Sequence, residues 1–242
     1  MISLPLAYRE EGVKKQALEE LYQQHHDRGS RYGYLFCGGA RGPYLNAWIG
    51  QGKRVLDLGC RDGALTSFFS GGNEVLGADI DRYALGVAKN RLGIDTLWVD
   101  LNTEWPFEPH SFDVVVACEI LEHLFFIDEM LEKIARTLKP QGLFIGSVPN
   151  SFRLRNRLKF LMGKEFDNDP THVRRFSSLT LQSKLSPFFS DIEITPIQGA
   201  ILPYVPVTQK WPRAIQRLFG KDLLWRSRVV PQVSQASTYA CQ

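Results

Sequence analysis

Between residues 54 and 148 the chain alternates short apolar runs with amphipathic stretches. Arg54–Leu58, Glu74–Ala78, Thr96–Val99, Phe112–Cys118 and Leu143–Val148 each read as a strand. The fourth carries Val114, Val115 and Val116 in succession, the pattern of a strand covered on both faces. Ala64–Phe69 predicts the start of a helix, and Arg82–Arg91 a second. Ile127–Leu138 predicts a third, with Leu131, Ile134 and Leu138 at i, i+3 and i+7. Lys139-Pro140-Gln141-Gly142 then reads as a turn in which Pro stops the helix. Strands alternating with helices imply βαβ units with right-handed crossovers. The expected fold is therefore α/β: a doubly wound, Rossmann-like, mostly parallel seven-stranded sheet with a C-terminal lid insertion. Ligands in such sheets sit outside the carboxyl ends of the strands.

The flanks are less regular. Residues 10–24 predict a polar helix, and Gly29, Gly33, Gly38, Gly39 and Gly42 a loop across the ligand site. Past Ser151, Phe152–Met162 predicts a basic helix, Ser177–Ser186 another helix and Asp191–Ile197 a strand. Ile201–Arg228 is rich in Pro and aromatics and reads as a lid, and Ser237–Cys241 as a final strand. The expected division is an N-terminal helix and covering loop over 1–50, a core over 51–199, and a lid with a final strand over 200–242.

Composition changes this picture little. The 242 residues carry a net charge of +3 with 44% hydrophobic content, ordinary for a soluble globular chain. That charge alone does not indicate nucleic acid. Its distribution is informative: Ser151–Arg175 holds seven Lys/Arg against three Asp/Glu, and Gln209–Arg228 six against one. An anionic partner should meet the C-terminal third. Cys37, Cys60, Cys118 and Cys241 form no C-x-x-C pair, which fits a reducing cytosol rather than a zinc knuckle or disulfide framework. No apolar run reaches the ~18–20 residues of a membrane span, and Met1–Glu20 does not read as a secretory signal. The expected location is cytoplasmic, with peripheral membrane contact left open.

Val55-Leu56-Asp57-Leu58-Gly59-Cys60-Arg61-Asp62-Gly63 carries the first candidate chemistry. Gly59 and Gly63 fall where a strand turns, and glycine there permits positive φ and close approach of backbone to a ligand. Asp57 is placed to bond the ligand or brace the loop. Asp79, 22 residues on, ends the next strand where a carboxylate would grip ribose hydroxyls, and Asp100 ends the third strand where an adenine amino group would be held. Arg61 stands where a dinucleotide-binding loop needs its middle glycine, and no G-K-[ST] follows, so neither a dinucleotide fingerprint nor a P-loop is present.

These segments, with Gly77–Asp81, Asp100-Leu101-Asn102, Phe112–Leu124 and Leu138–Gly142, resemble the ordered motifs of class I S-adenosylmethionine-dependent methyltransferases over about residues 50–195. The resemblance extends to the type 11 and ubiquinone-biosynthesis O-methyltransferases. It implies S-adenosylmethionine as cofactor, with Gly59, Cys60 and Gly63 along its methionine part. Asp79 would bind the ribose, and Asp100 with Leu101 the adenine. Asp57, Ile80 and Cys118 complete the implied cofactor set. Arg61-Asp62 departs from the usual pair of small residues.

A second constellation follows the fourth strand. Glu119, Glu122 and His123 are spaced i, i+3, i+4 and share one side of a helical turn, and His172 comes later in Thr171-His172-Val173-Arg174-Arg175-Phe176. Three readings stand open. A histidine takes the proton from a substrate hydroxyl; or Glu119, Glu122, His123 and His172 hold a divalent cation (Mg, Mn or Zn) that lowers the hydroxyl pKa; or the residues form a locally hydrogen-bonded helix start. Glu119-x-x-Glu122-His123 with a later Thr-His-basic-basic-Phe looks like the ubiquinone-pathway O-methyltransferases. Small-RNA 3′-terminal 2′-O-methyltransferases share a similar E-x-x-E-H. His123, His172 and Glu119 are the catalytic candidates.

On the acceptor side, Leu154, Leu158 and Leu161 lie at i, i+4 and i+7 with Arg153, Arg155, Arg157 and Lys159 between them. Such a helix suits an anionic membrane surface, an anionic group on the substrate, or a plain lid with a solvated basic face. Trp211, Ile215, Leu218 and Phe219 make a second apolar stripe, and Pro203, Pro206 and Pro212 stiffen the segment. The expected reaction is methyl transfer to an oxygen of a small, lipid-like or glycan-like molecule. An RNA 2′-O-methyltransferase and a non-catalytic cofactor-binding partner module are the alternatives. Nucleic acid is the weaker partner, because the aromatics form no stacking platform.

Overall fold

The computed structural model describes Tyr32, residues 38–167, Asp169, residues 171–202 and residues 205–230. Strands β1 (Arg54–Leu58), β2 (Glu74–Asp79), β3 (Asp95–Trp98), β4 (Phe112–Cys118) and β5 (Leu138–Pro149) form the parallel part of a seven-stranded sheet. Strand β6 (Phe189–Ile197) lies at the far edge. Strand β9 (Asp222–Val229) is inserted antiparallel between β5 and β6. The order is β3-β2-β1-β4-β5-β9-β6. A two-stranded hairpin, β7 (Ala200–Leu202) with β8 (Val205–Pro206), stands apart.

The valine run of β4 is central because it is apolar on both sides: Val114, Val115 and Val116 are all buried, and Val115 pairs with Leu56 of β1 and Phe144 of β5. Helix α2 (Arg82–Leu92) starts where Asp81 accepts the Ala84 N–H and ends at Gly93, whose φ of 68° is cheap only for glycine. Helix α3 (Ile127–Thr137) buries Ile127, Met130, Leu131 and Ile134 on one face. Helix α4 is Leu154–Leu161, α5 is Ser178–Leu185 with a Ser177/Thr180 capping box, and α6 is Arg213–Phe219.

Four expectations are corrected. Gly38–Ile49 is a helix, α1, rather than a glycine-rich loop. Gly42 lets it press against the Phe68 ring, while Leu45 and Ile49 bury one face, so packing overrides the glycines' low propensity. Ala64–Phe69 makes only a single 3₁₀ turn at Thr66–Phe68, cut short by Ser70-Gly71-Gly72. Lys139–Gly142 is no free turn: Leu138 already pairs with Phe112, and the ladder resumes at Leu143 opposite Val114 after a register shift. The segment expected as a lid over Ile201–Arg228 contributes β9, whose Leu223, Leu224 and Trp225 are buried, Trp225 packing on Phe144. Residues 10–24 and Ser237–Cys241, with the helix and strand expected there, lie outside the described residues, as does Pro203.

Candidate active site

A cavity of about 500 Å³ opens at the carboxyl ends of β1 to β5, where the fold predicts ligands. One side is built by the β1 and β2 loops. Gly59 (φ 72°) turns the chain so that its N–H reaches Ala78 O at 2.7 Å. Asp79 Oδ2 accepts the Arg61 N–H at 2.8 Å and its Oδ1 the Asp81 N–H at 2.9 Å, which fixes the carboxylate on the wall. Asp100 is similarly held, its Oδ1 accepting the Asn102 N–H at 3.0 Å. Gly59, Cys60, Asp79, Ile80, Asp100 and Leu101 all line the cavity. Tyr32 donates its hydroxyl to Asp81 Oδ2 at 2.8 Å, behind the loop that carries Asp79.

Asp57 and Gly63 do not line the cavity. Asp57 accepts the Thr66 hydroxyl at 2.6 Å, and burial pushes its carboxyl up to about 7 against that hydrogen bond, with Asp79 adding to the rise. It braces the loop from behind. Gly63 (φ 74°) packs against Leu92 and Ala88.

The opposite side begins at Cys118 and Glu119. Glu119 has a φ of 58°, a left-handed residue that ends β4 sharply. Its Oε1 accepts the Ser147 hydroxyl at 3.0 Å and lies 2.9 Å from Arg41 Nη2 of α1. The same Nη2 is 3.1 Å from Asp222 Oδ2 at the start of β9, and Arg41 and Asp222 are both buried. Burial raises the Glu119 carboxyl above its ordinary range, Arg41 opposing and Asp222 adding to it.

Beyond Glu119 a 3₁₀ turn spans Leu121–His123. Glu122 is 1% exposed, and among the described residues neither carboxylate oxygen has a hydrogen-bond partner. Burial first, and the Glu119 charge second, push this carboxyl well above the usual range. Glu122 O accepts the N–H groups of Val173 and Arg174, docking the later segment beside it. His123 Nδ1 lies 3.1 Å from Thr171 O, and His172 Nδ1 lies 3.0 Å from Asp167 Oδ1. A carbonyl and a carboxylate only accept, so each Nδ1 carries a proton, and a ring with no second proton has its lone pair on Nε2. One ligand atom from each of Glu122, His123 and His172 lies within 4.8 Å of the others.

The structure thus brings together Glu122, His123 and His172 and assigns Glu119 to Arg41. Sequence reading missed Arg41, Asp222, Asp167 and Asp169, all of which line the cavity. The acids just before Thr171-His172 were a visible signal; Arg41 and Asp222 meet only through the fold.

A family model described as a methyltransferase domain matches residues 31–186. The chain belongs to the class I S-adenosylmethionine-dependent methyltransferases. It is 29% identical over 184 residues to the ubiquinone biosynthesis O-methyltransferase of Burkholderia vietnamiensis, covering 70% of this chain and 78% of that one. It is 28% identical over 169 residues to the enzyme of the same description from Bradyrhizobium diazoefficiens, covering 66% and 65%. Among solved structures it resembles an S-adenosylmethionine-dependent methyltransferase of Thermotoga maritima, described as a possible histamine N-methyltransferase. The TM-score is 0.63 at 14% identity, covering 87% of this chain and 97% of that one. The N-methyltransferase NodS of Bradyrhizobium japonicum, in complex with S-adenosyl-L-homocysteine, aligns with a TM-score of 0.53 at 19% identity, covering 78% and 84%. These structural likenesses speak to the fold. No helix among the described residues is long and apolar enough to cross a membrane.

Proposed function

We propose that this methyltransferase methylates an oxygen of a small, lipid-like or glycan-like acceptor. The observation that carries the reading is the Glu122, His123, His172 cluster across the cavity from Asp79 and Asp100. The O-methyltransferase relatives support the choice of oxygen. Asp79 is assigned to the ribose hydroxyls, Asp100 and Leu101 to the adenine, and Gly59, Cys60 and Cys118 to the methionine end. The cofactor supplies an electrophilic methyl group. The acceptor oxygen forms the new C–O bond as the S–C bond breaks, and S-adenosylhomocysteine leaves. The protein's task is to align the hydroxyl and take its proton. Both Nε2 lone pairs suit that task, and His123 and His172 are held in the needed tautomer by Thr171 and Asp167.

The same groups fit a divalent cation. Glu122 offers a buried carboxylate without a hydrogen-bond partner, and two oriented imidazoles flank it. Mg, Mn or Zn held there would act as a Lewis acid on the acceptor oxygen. Replacing His123→Ala should lower kcat by roughly 10²–10⁴-fold, the usual weight of acid–base or metal assistance. Affinity for S-adenosylhomocysteine should stay within about threefold, because His123 lies across the cavity from Asp79. An unchanged kcat would refute the assignment. Labelled methyl donor incubated with lipid and aqueous metabolite extracts should give an O-methyl product, and label found only on nitrogen or on RNA would overturn the acceptor class.

A specific feature favours the lipid-like acceptor. On α4 the side turned inward is polar: Asn156 is buried, its Nδ2 donating to Ser151 O at 3.0 Å. Leu158, Phe160, Leu161 and Met162 face out, Phe160 at 70% and Leu161 at 79% exposure, among Arg155, Arg157, Lys159 and Lys164. An exposed apolar edge ringed by cations suits an anionic lipid surface. Arg153 and Asn156 at the start of this helix line the cavity, so the same element would bring the site to the lipid. The protein should float with vesicles containing phosphatidylglycerol and not with phosphatidylcholine alone. Phe160→Ser with Leu161→Ser should cut that recovery at least fivefold, given about 1.5–3 kcal/mol per buried large side chain. No flotation with either vesicle refutes the contact.

A further inference from the structure

We propose that the acceptor presents a sugar ring to this cavity, so that the oxygen methylated is a sugar hydroxyl; this rests on the oxygen-methylation reading above and narrows it. The cavity has two unlike halves. Its aliphatic lining, Leu65, Ile80, Val99, Leu101, Ile120 and Leu124, lies on the loops after β1 to β4, around the residues assigned to the cofactor. From the end of β5 onward, Pro149 and Phe166 are the apolar members among the described lining residues. The rest of that wall includes Asn150, Ser151, Arg153, Asn156 and Lys221. Asn150, Ser151 and Asn156 are only 3%, 7% and 7% exposed. Ligand pockets are ordinarily lined by apolar side chains with a few polar groups among them, and this wall reverses the ratio. A ring with apolar substituents would displace water from these groups and make no hydrogen bond in its place.

The wall sets fixed acceptors beside donors, which is what a row of hydroxyls needs. Asn150 Nδ2 donates to Arg217 O and to Gly220 O, at 2.9 Å each, and this fixes which way the amide faces. Its Oδ1 is thereby presented as an acceptor. Asn156 Nδ2 donates to Ser151 O at 3.0 Å, so its Oδ1 is likewise the accepting end, 3.4 Å from Arg153 Nε. Arg153 and Lys221 bring N–H donors to the same wall. A hydroxyl both donates and accepts, so neighbouring ring hydroxyls match this alternation. Phe166 supplies the complementary surface. Arg175 stands over its ring, 5.6 Å from the centroid, and does not itself line the cavity, which leaves the other face to the ligand. That face is electron-rich, and the C–H groups of a sugar, drawn positive by their oxygens, pack against it. The C–O bond forms on a ring hydroxyl as the S–C bond breaks, and the hydroxyl proton passes to Nε2 of His123 or His172. The placement also agrees with the membrane contact of α4. Arg153 and Asn156 at its start line the cavity while Phe160 and Leu161 are exposed at its end, so a lipid carrier leaves the sugar along this helix.

The test gives the full chain and labelled methyl donor to nuclease-treated lipid and aqueous cell extracts, then hydrolyses the product in acid. Label should be recovered as an O-methyl monosaccharide. Recovery from the lipid extract supports a lipid-linked sugar, and recovery from the aqueous extract supports a free glycan. With the purified acceptor, Phe166→Ala should raise KM about tenfold and leave kcat within about threefold, the effect of losing one stacking face. Phe166→Tyr, which keeps the ring, should restore KM. Asn156→Leu should raise KM about tenfold or more, because the hydroxyl it served is left unpaired. Affinity for S-adenosylhomocysteine and melting temperature should hold in all three variants, and a merely structural role would move both. Label on a phenol or quinol oxygen overturns the sugar while oxygen methylation stands. Label only on nitrogen, product lost on nuclease treatment, or no product at all overturns both readings. A sugar product with KM unchanged in Phe166→Ala and Asn156→Leu overturns the assignment of this wall.

Discussion

Asp79→Ala is expected to lower the affinity for S-adenosylhomocysteine by at least 100-fold while the protein stays folded. Asp79 ends β2, opposite Trp98 of β3 in the parallel register, and is 8% exposed. Each of its oxygens already accepts one backbone N–H, from Arg61 and Asp81, and a carboxylate oxygen has a second lone pair to give. Two ribose hydroxyls bonded there would contribute about 1.5–3 kcal/mol each, as hydrogen bonds to a charged group do. At about 1.4 kcal/mol per tenfold, their loss amounts to 10²-fold or more. Calorimetric titration measures it directly. Asp57→Asn is the matched control, because Asp57 sits behind the wall on Thr66 and should cost less than fivefold. An Asp79→Ala affinity within fivefold of wild type would remove Asp79 from the cofactor site.

The strand-end residues proposed for the cofactor could be placed on the cavity wall from sequence because each belongs to a strand that declares itself locally. A run such as Val114-Val115-Val116 can only be a two-sided buried strand in a chain of this class, and Asp79 and Asp100 follow from their places at strand ends. What the sequence hid depends on contacts between distant segments. The glycines of 38–42 argue for a loop, yet Gly42 is small because Phe68 presses on the helix there. Strand β9 is masked by Arg226 and Arg228, which are its exposed positions, while Leu223, Leu224 and Trp225 are covered on both faces by the sheet's neighbours. The spacing Glu119, Glu122, His123 implied a common face on the assumption of one continuous turn. A single left-handed residue at Glu119 broke that assumption and moved its carboxylate to Arg41. Period-based reading fails at such residues because one positive φ resets the direction of every side chain before it.

Arg41→Met is expected to destabilise the fold by about 3–5 kcal/mol at pH 8, the cost of breaking a buried ion pair by removing one partner. For a chain of this size that is a fall in melting temperature of roughly 10 °C or more. Arg41 is 3% exposed and holds Glu119 and Asp222 together with one nitrogen, so α1, β4 and β9 meet at this guanidinium. Methionine keeps much of the volume and removes the charge together with the N–H donors. The loss should depend on pH in a defined direction. Burial already holds the Glu119 carboxyl above its ordinary range, and Arg41 is the group that opposes the rise. Without Arg41 it climbs further. A carboxyl raised in the folded state keeps its proton where the unfolded chain has lost it, so folded stability falls as pH rises from the unfolded value through the folded one. The deficit of Arg41→Met against wild type should therefore be largest at pH 8 and shrink toward pH 5. Denaturant unfolding at the two pH values measures this, and adding Asp222→Asn should recover part of the loss at pH 8 by removing one of the two stranded charges. An equal deficit at both pH values would show that Arg41 acts by packing alone. The charge relation would then give no account of why Glu119 sits on Arg41 rather than beside Glu122.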